Sequence, residues 1–225
     1  LCVKALPHIP VFELVFFRSL GSLLITFFYL NKSRTPIFGN NKRVLFARGI
    51  FGTIGLCLFF ITLQNIPLAG AVTIQYLSPV FTTLFAVILL GERVKKRQWF
   101  FFTLAFTGVC LLKGFDISGQ ISYYFILIGV ISACFSGLAY NCIRYLRTTE
   151  STLVVVFYFP LVATPIMGGL SFFNWVKPQD LDWFYILVLG VVTQVAQVFM
   201  TKGIQSDSAG NIMTYKYVGV VFAFI

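Results

Sequence analysis

Eight long apolar stretches run through this chain, seven complete and the eighth ending with the last residue, and most of the positive charge lies in alternate gaps between them. A bilayer core takes about 20 apolar residues per helix. In lipid only helices and closed barrels satisfy their own backbone groups. The stretches fall at 11–30, 44–64, 70–90, 98–113, 122–143, 153–173, 183–203 and 209–225. None alternates with the period of two that a membrane barrel strand requires. The sequence therefore predicts an all-α membrane protein. The 98–113 stretch is short, about 24 Å at the helical rise, and Trp99 and Lys113 are placed to anchor its ends.

Composition closes the soluble alternatives. Hydrophobic residues make up 58% and charged residues 11%, against about 45–50% and about 25% in soluble domains. The net charge of +10 would suit nucleic acid if it formed one face, but it is scattered through short loops, so no nucleic-acid partner is expected. Cys2, Cys57, Cys110, Cys134 and Cys142 lie in or at the ends of apolar stretches without metal-ligand spacing, and read as small apolar residues of a bundle. His8 is the single histidine, which removes a histidine-based metal cluster. No cofactor is expected.

The charge pattern sets an orientation. Lys32, Arg34, Lys42, Arg43, Arg93, Lys95, Lys96, Arg97, Arg144, Arg147 and Lys202 occupy one set of gaps; Lys4, Lys113 and Lys177 occupy the other. The positive-inside rule puts the first set in the cytoplasm.

The stretches also repeat. Starts at 11, 44 and 70 recur at 153, 183 and 209, a shift of about 140 residues, and at that shift Phe59 meets Phe199 and Ala69-Gly70 meets Ala209-Gly210. The stretch at 122–143, shifted back, ends near residue 3, so Leu1-Cys2-Val3 reads as the tail of an earlier helix. The partner of 98–113 would fall beyond residue 225. The unit becomes five plus five helices, and because five is odd the second copy enters the membrane inverted. Residues 1–114 form the first repeat and 115–225 the second, each short of a helix. Inverted repeats with a site between them are a transporter architecture.

With that organisation, the residues Glu13-Leu-Val-Phe-Phe-Arg18, the run Pro67-Leu-Ala-Gly-Ala-Val-Thr-Ile-Gln-Tyr-Leu-Ser-Pro79-Val-Phe and the closing Gly91-Glu92-Arg93 resemble the drug/metabolite transporter superfamily in its ten-helix EamA-type branch. The likeness covers nearly the whole chain, minus most of helix one, the end of helix nine and all of helix ten. It implies a secondary transporter, with a central cavity between the repeats and both termini cytoplasmic, spanning a bacterial inner (plasma) membrane several times. It also implies a small-molecule substrate, with efflux of amino acids or related metabolites favoured.

Candidate site residues are polar groups inside spans, where a charge costs about 2.5–3.5 kcal/mol at the helix centre and so turns to a cavity or a partner. Lys216 lies about 10 Å into its helix at the helical rise; a stem reaching the interface is the alternative. Arg18 is deep in the first stretch and Glu13 near its outer end. Five residues apart, they point about 140° from each other, so each needs a separate partner, for substrate or for bracing. Gln75 and Tyr76 lie mid-span and map, at the same shift, onto Tyr215 and Lys216, on opposite walls of one cavity if a two-fold axis relates the repeats. Gln194 and Gln197 share a helix face. Tyr140 and Asn141 lie late in their span and bridge helices equally well. Arg48, one turn into its helix, reads as interfacial. Pro79, Pro160 and Pro165 each remove a helical hydrogen bond. Gly49, Gly52 and Gly55 mark close helix approach.

The function predicted is a secondary transporter moving a small polar or amphipathic metabolite by alternating access, with Glu13 a thin relay for proton coupling and lipid as the surrounding partner. A seven-helix membrane receptor is the alternative, against which stand the short loops and the inverted repeat. An intramembrane enzyme is not expected, since no paired carboxylates share a span and no nucleophile or phosphate-loop motif appears.

Overall fold

The computed structural model describes residues 2–33, 36–92, 99–100, 102–104, 106–108 and 122–206, with the backbone alone at Asn174 and Asp180. The described residues are helical and carry no strand. The helices are α1 (Cys2–Ala5), α2 (Val11–Lys32), α3 (Lys42–Asn65), α4 (Leu68–Gln75), α5 (Ser78–Leu90), α6 (Tyr123–Tyr145), α7 (Thr152–Ser171) and α8 (Asp180–Ser206). Short 3-10 turns follow α6 at Leu146–Thr148 and α7 at Phe172–Asn174. Among the described residues six stretches are long and apolar enough to cross a membrane: Val11–Lys32, Lys42–Asn65, Leu68–Leu90, Tyr123–Thr148, Thr152–Ser171 and Leu181–Ser206. They coincide with six of the predicted spans. Of the 98–113 span only part is described, and that part is helical. The 209–225 span lies outside the described residues.

The chain divides into two compact units, one of residues 1–53 and 142–206, the other of 54–141 and 207–225. In the first, α2 packs along α7 and, less extensively, along α8. Its outward side is apolar and exposed at Leu24, Phe27 and Phe28, as lipid requires. Phe17 meets Trp175 and Trp183 edge-on at 5.4 and 5.3 Å between ring centroids, and His8 Nε2 lies 2.9 Å from Asp182 Oδ2. The glycine expectation holds here. Gly49 lies against Val162 and the Tyr158 carbonyl, where a Cβ would sit 2.6 and 2.9 Å away. Gly52 faces the Phe159 ring and the Arg48 guanidinium. α3 therefore approaches α7 more closely than any side chain at these positions would allow.

At one end of this unit a polar latch ties three segments. Glu150 Oε1 accepts the Asn41 N–H at 2.7 Å. Asn40 donates to the Thr149 carbonyl, Gln205 donates to the Glu150 carbonyl, and Thr152 donates to Gln205 Oε1 at 2.6 Å. Ser151 caps α7 by accepting the Val154 N–H, a usual N-cap role for serine.

In the second unit the 68–90 span is broken. α4 stops at Gln75 and α5 starts at Ser78. Pro79 lacks the N–H that an unbroken helix would offer the Gln75 carbonyl, and the chain tightens there, Leu77 N bonding to the Ile74 carbonyl at 3.0 Å. Pro160 and Pro165, by contrast, sit inside α7 without ending it, as packed membrane helices permit. α5 ends at Gly91, whose φ of 67° is the left-handed conformation that glycine adopts without strain. The Glu92 N–H then closes back on the Ala86 carbonyl at 3.1 Å. α6 supplies Gly129 against Ile74 and Thr62, and Gly137 against Phe81 and Thr82. Asn141 Nδ2 donates to the Thr82 carbonyl at 2.9 Å. The expectation that Asn141 bridges helices is met. Hydroxyls along the spans close onto carbonyls one turn back, as at Thr26, Thr53, Thr62, Thr82 and Thr193, which removes the cost of leaving them bare in lipid.

Candidate functional site

α2 carries a buried polar stripe at Arg18, Ser22 and Thr26, spaced four apart and so stacked on one face. α8 answers with Thr193 and Gln194. Arg18 Nε donates to Thr193 Oγ1 at 3.0 Å. Gln194 Nε2 donates to Thr26 Oγ1 at 2.7 Å, and the Thr26 hydroxyl donates in turn to the Ser22 carbonyl at 2.7 Å. Gln197, on the same face of α8, is half-buried. Glu13, in the first turn of α2, is fully buried; its Oε2 accepts the Val176 N–H at 3.0 Å, and its Oε1 has no hydrogen-bond partner among the described residues. Glu13 and Arg18 thus take separate partners, as their angular separation requires.

Arg48 differs from the expectation. It is 2% exposed rather than reaching for the interface, and its Cζ lies 5.2 Å from the centroid of the Phe159 ring. The reason is Gly52 one turn on, which has no side chain to occupy the space the guanidinium fills. Arg18 approaches the same ring, its Cζ 5.5 Å from the centroid. Both distances suit cation–π attraction.

Beside the Thr26–Gln194 pair a groove of about 270 Å³ opens, walled by Ile25, Tyr29, Leu153, Val198 and Phe199. Its lining is almost wholly apolar, with the amide and hydroxyl at one side. Such a surface suits an amphipathic molecule or an acyl chain.

In the second unit Gln75 is held at both ends of its amide. Its Nε2 donates to Ser136 Oγ at 3.1 Å, and Ser132 Oγ lies 3.3 Å from its Oε1 and 2.7 Å from the Gly55 carbonyl. Ser132 and Ser136 are one turn apart on α6, and Gly55 lets that helix come close. Tyr76 is half-buried at the helix break. Tyr215 and Lys216 lie outside the described residues.

Thr26, Thr193, Phe159, Ser132 and Ser136 were not among the expected site residues. The four-residue spacing of Arg18, Ser22 and Thr26, and of Ser132 and Ser136, is the sequence signal that points to them. Phe159, one of 27 phenylalanines, carries none.

The chain resembles known membrane transporters in sequence. A family model described as the EamA-like transporter family matches residues 1–113 and again 123–225. The pseudopaline exporter of Pseudomonas aeruginosa is 31% identical over 221 residues, covering 97% of this chain and 77% of that protein. Solute carrier family 35 member G1 of Homo sapiens is 30% identical over 245 residues, covering 100% of this chain and 66% of that protein. One solved crystal structure shares the fold at TM-score 0.73 and 17% identity, over 96% of this chain and 77% of that one. The receptor alternative finds no support among them. With six membrane-length helices among the described residues and this match along both halves, the chain is an integral, multi-pass membrane transporter and belongs to the EamA-like transporter family.

Proposed function

We propose that this transporter moves a small polar or amphipathic metabolite by alternating access between two inverted repeats, residues 1–114 and 115–225. The succession of two family matches along the chain supports that division, as does the recurrence of span starts. The observation that carries the functional reading is the polar ladder of Arg18, Thr193, Gln194 and Thr26, buried within otherwise apolar membrane-length helices. A membrane span tolerates such groups where they line a pathway or pair across helices. The residues proposed for substrate contact are Arg18, Glu13, Gln194, Gln197, Gln75, Tyr76, Tyr215 and Lys216. The Glu13 carboxyl, buried and with one oxygen without a partner among the described residues, is the group that would carry a coupled proton. The basic gaps face the cytoplasm, and a bacterial plasma membrane is the setting. No catalytic chemistry is assigned to the chain. The relative named above is a pseudopaline exporter, which favours the outward direction here, and an amino acid or related metabolite is the proposed cargo.

The test uses the full-length protein in proteoliposomes, with a panel of radiolabelled anionic, neutral and cationic metabolites, with and without a pH gradient. Saturable flux of at least one compound, abolished in Lys216→Ala without loss of folded protein, is the expected result. Flux unaffected by Lys216→Ala would remove that lysine from the site, and no flux of any compound would remove the reading.

A further inference from the structure

We propose that the groove beside the Thr26–Gln194 pair binds one anionic phospholipid from the leaflet on the basic side of the membrane. Lys32 and Lys202 hold its phosphate, and an acyl chain lies along the apolar walls. The proposal rests on the transporter reading for its orientation and adds a lipid partner to it.

Three observations lead there. The first is where the groove opens. It runs between α2 and α8, with Leu153 of α7 as a third wall. Ile25 and Tyr29 on one side are 40% and 63% exposed, and Val195 and Phe199 on the other are 51% and 69% exposed. All four belong to membrane-length stretches, so what they expose meets lipid and not water. An acyl chain reaches the groove sideways from the bilayer.

The second is charge at one end. Lys32 follows Tyr29 by three residues and Ile25 by seven, and Lys202 follows Val198 by four and Val195 by seven. Each lysine therefore continues the groove-lining face of its own helix. The two helices run in the same direction, since His8, before α2, pairs with Asp182 at the start of α8. Both lysines thus lie at the same end, and both are exposed. Neither is in an ion pair among the described residues. Glu150, the carboxylate before α7, is turned to the Asn41 N–H. Lysines so placed reach headgroup level along their stems and attract anionic lipid.

The third is the depth of the groove. Lipid tails are as apolar as its walls, so an acyl chain alone gains little by entering. Selectivity has to come from the charged end and from a groove of fixed length. Thr26 lies six residues from Lys32, about 9 Å, and Gln194 eight residues from Lys202, about 12 Å. The Gln194–Thr26 bond joins the two helices and closes the groove at the end away from the lysines. The stretch between holds the first methylenes below a headgroup, and the rest of the chain leaves sideways into the bilayer.

Thermal unfolding of the purified full-length protein in detergent tests the site. The probe is phosphatidylglycerol with two oleoyl chains. Phosphatidylcholine with the same chains is the uncharged control, and glycerol 3-phosphate supplies the headgroup alone. Phosphatidylglycerol is expected to raise Tm saturably, phosphatidylcholine to raise it far less, and glycerol 3-phosphate to leave it unchanged. Lys32→Gln combined with Lys202→Gln should weaken the phosphatidylglycerol effect by about tenfold or more in apparent Kd, a change equal to about 1.4 kcal/mol. Val195→Trp, which fills the groove and keeps both lysines, should weaken it as well. All three positions are exposed, so these variants should fold. Lys42→Gln, removing a lysine on the same side that lies over the Phe38 ring at 5.7 Å, should leave binding unchanged. An equal shift with phosphatidylcholine, a shift with glycerol 3-phosphate, or full binding by the double variant or by Val195→Trp would overturn the proposal. A loss in Lys42→Gln as large as in the double variant would do the same, and so would a Tm that follows protein concentration and not lipid, which gives the groove to a second copy. The two readings fail separately. Flux without selective binding of phosphatidylglycerol removes this one alone, and selective binding without any flux removes the transporter mechanism alone.

Discussion

Gln194 on α8 donates its side-chain amide to Thr26 on α2 across 2.7 Å, joining residues 168 apart in the chain. Neither group is near the membrane surface in sequence terms, and both are buried. Hydrogen bonds of this kind between membrane helices contribute about 0.6 kcal/mol on average and up to about 1.7 kcal/mol. Thr26→Val is therefore expected to lower stability by that amount, since it leaves the Gln194 amide without its acceptor. Adding Gln194→Leu to it should cost little more, because the bond is already gone. Equilibrium unfolding in detergent reads both changes, and strictly additive losses would show that the two residues act independently.

Gly52 and Gly21 should respond in opposite ways. A Cβ at Gly52 would run into the Arg48 guanidinium and stand 2.8 Å from the Phe159 ring, whereas one at Gly21 meets nothing within 4 Å. Gly52→Val is expected to destabilise by about 1–3 kcal/mol through overpacking. Gly21→Ala is expected to be neutral or to gain up to about 1 kcal/mol of helix propensity. Thermal denaturation of the two variants side by side checks the contrast.

Glu150 holds the latch at the end of the first unit through the Asn41 N–H. Glu150→Ala takes away that charged acceptor, and a hydrogen bond to a charged group contributes about 1.5–3 kcal/mol. Partial exposure places the expected loss at the lower end of that range. Faster amide hydrogen exchange at Asn41, with exchange in the middle of α2 unchanged, is the local signature.

Glu13→Gln separates a proton-carrying role from a structural one. The amide oxygen of glutamine can still accept the Val176 N–H that Glu13 Oε2 accepts at 3.0 Å, so folding should persist. Transport driven by a pH gradient should fall about tenfold or more, while exchange of substrate across liposomes without a gradient continues. Equal loss of both activities would assign the carboxylate to bracing.

Much of the fold was legible because a bilayer imposes one length on every helix. The observed ends, such as Val11–Lys32 against the expected 11–30 and Lys42–Asn65 against 44–64, differ by a few residues at polar flanks. Proline was a less reliable guide. Pro79 coincides with a real break, whereas Pro160 and Pro165 do not, because a lost hydrogen bond ends a helix only where packing does not hold the turn closed. Glu13 and Arg18 were correctly expected to need separate partners, since rotation about one helix decides that locally. Arg48 was misjudged because its depth along α3 was visible while the space beside Gly52 was not. That space exists only once α3 is laid against α7. The Gln194–Thr26 bond was hidden for the same reason: each residue stood out within its own span, but nothing local paired the two.

The interruption between Gln75 and Ser78 turns one crossing of the bilayer into two levers on a pivot. A continuous rod can only tilt as a whole, and doing so would disturb every neighbour along it. Here the longer lever is pinned where Asn141 grips the Thr82 carbonyl, and the eight-residue lever is pinned at its own end, where Ile74 lies against Gly129 of α6. Gln75 sits at the pivot end of the shorter arm, so rotation at Tyr76 and Leu77 would have to break its amide bonds to Ser132 and Ser136.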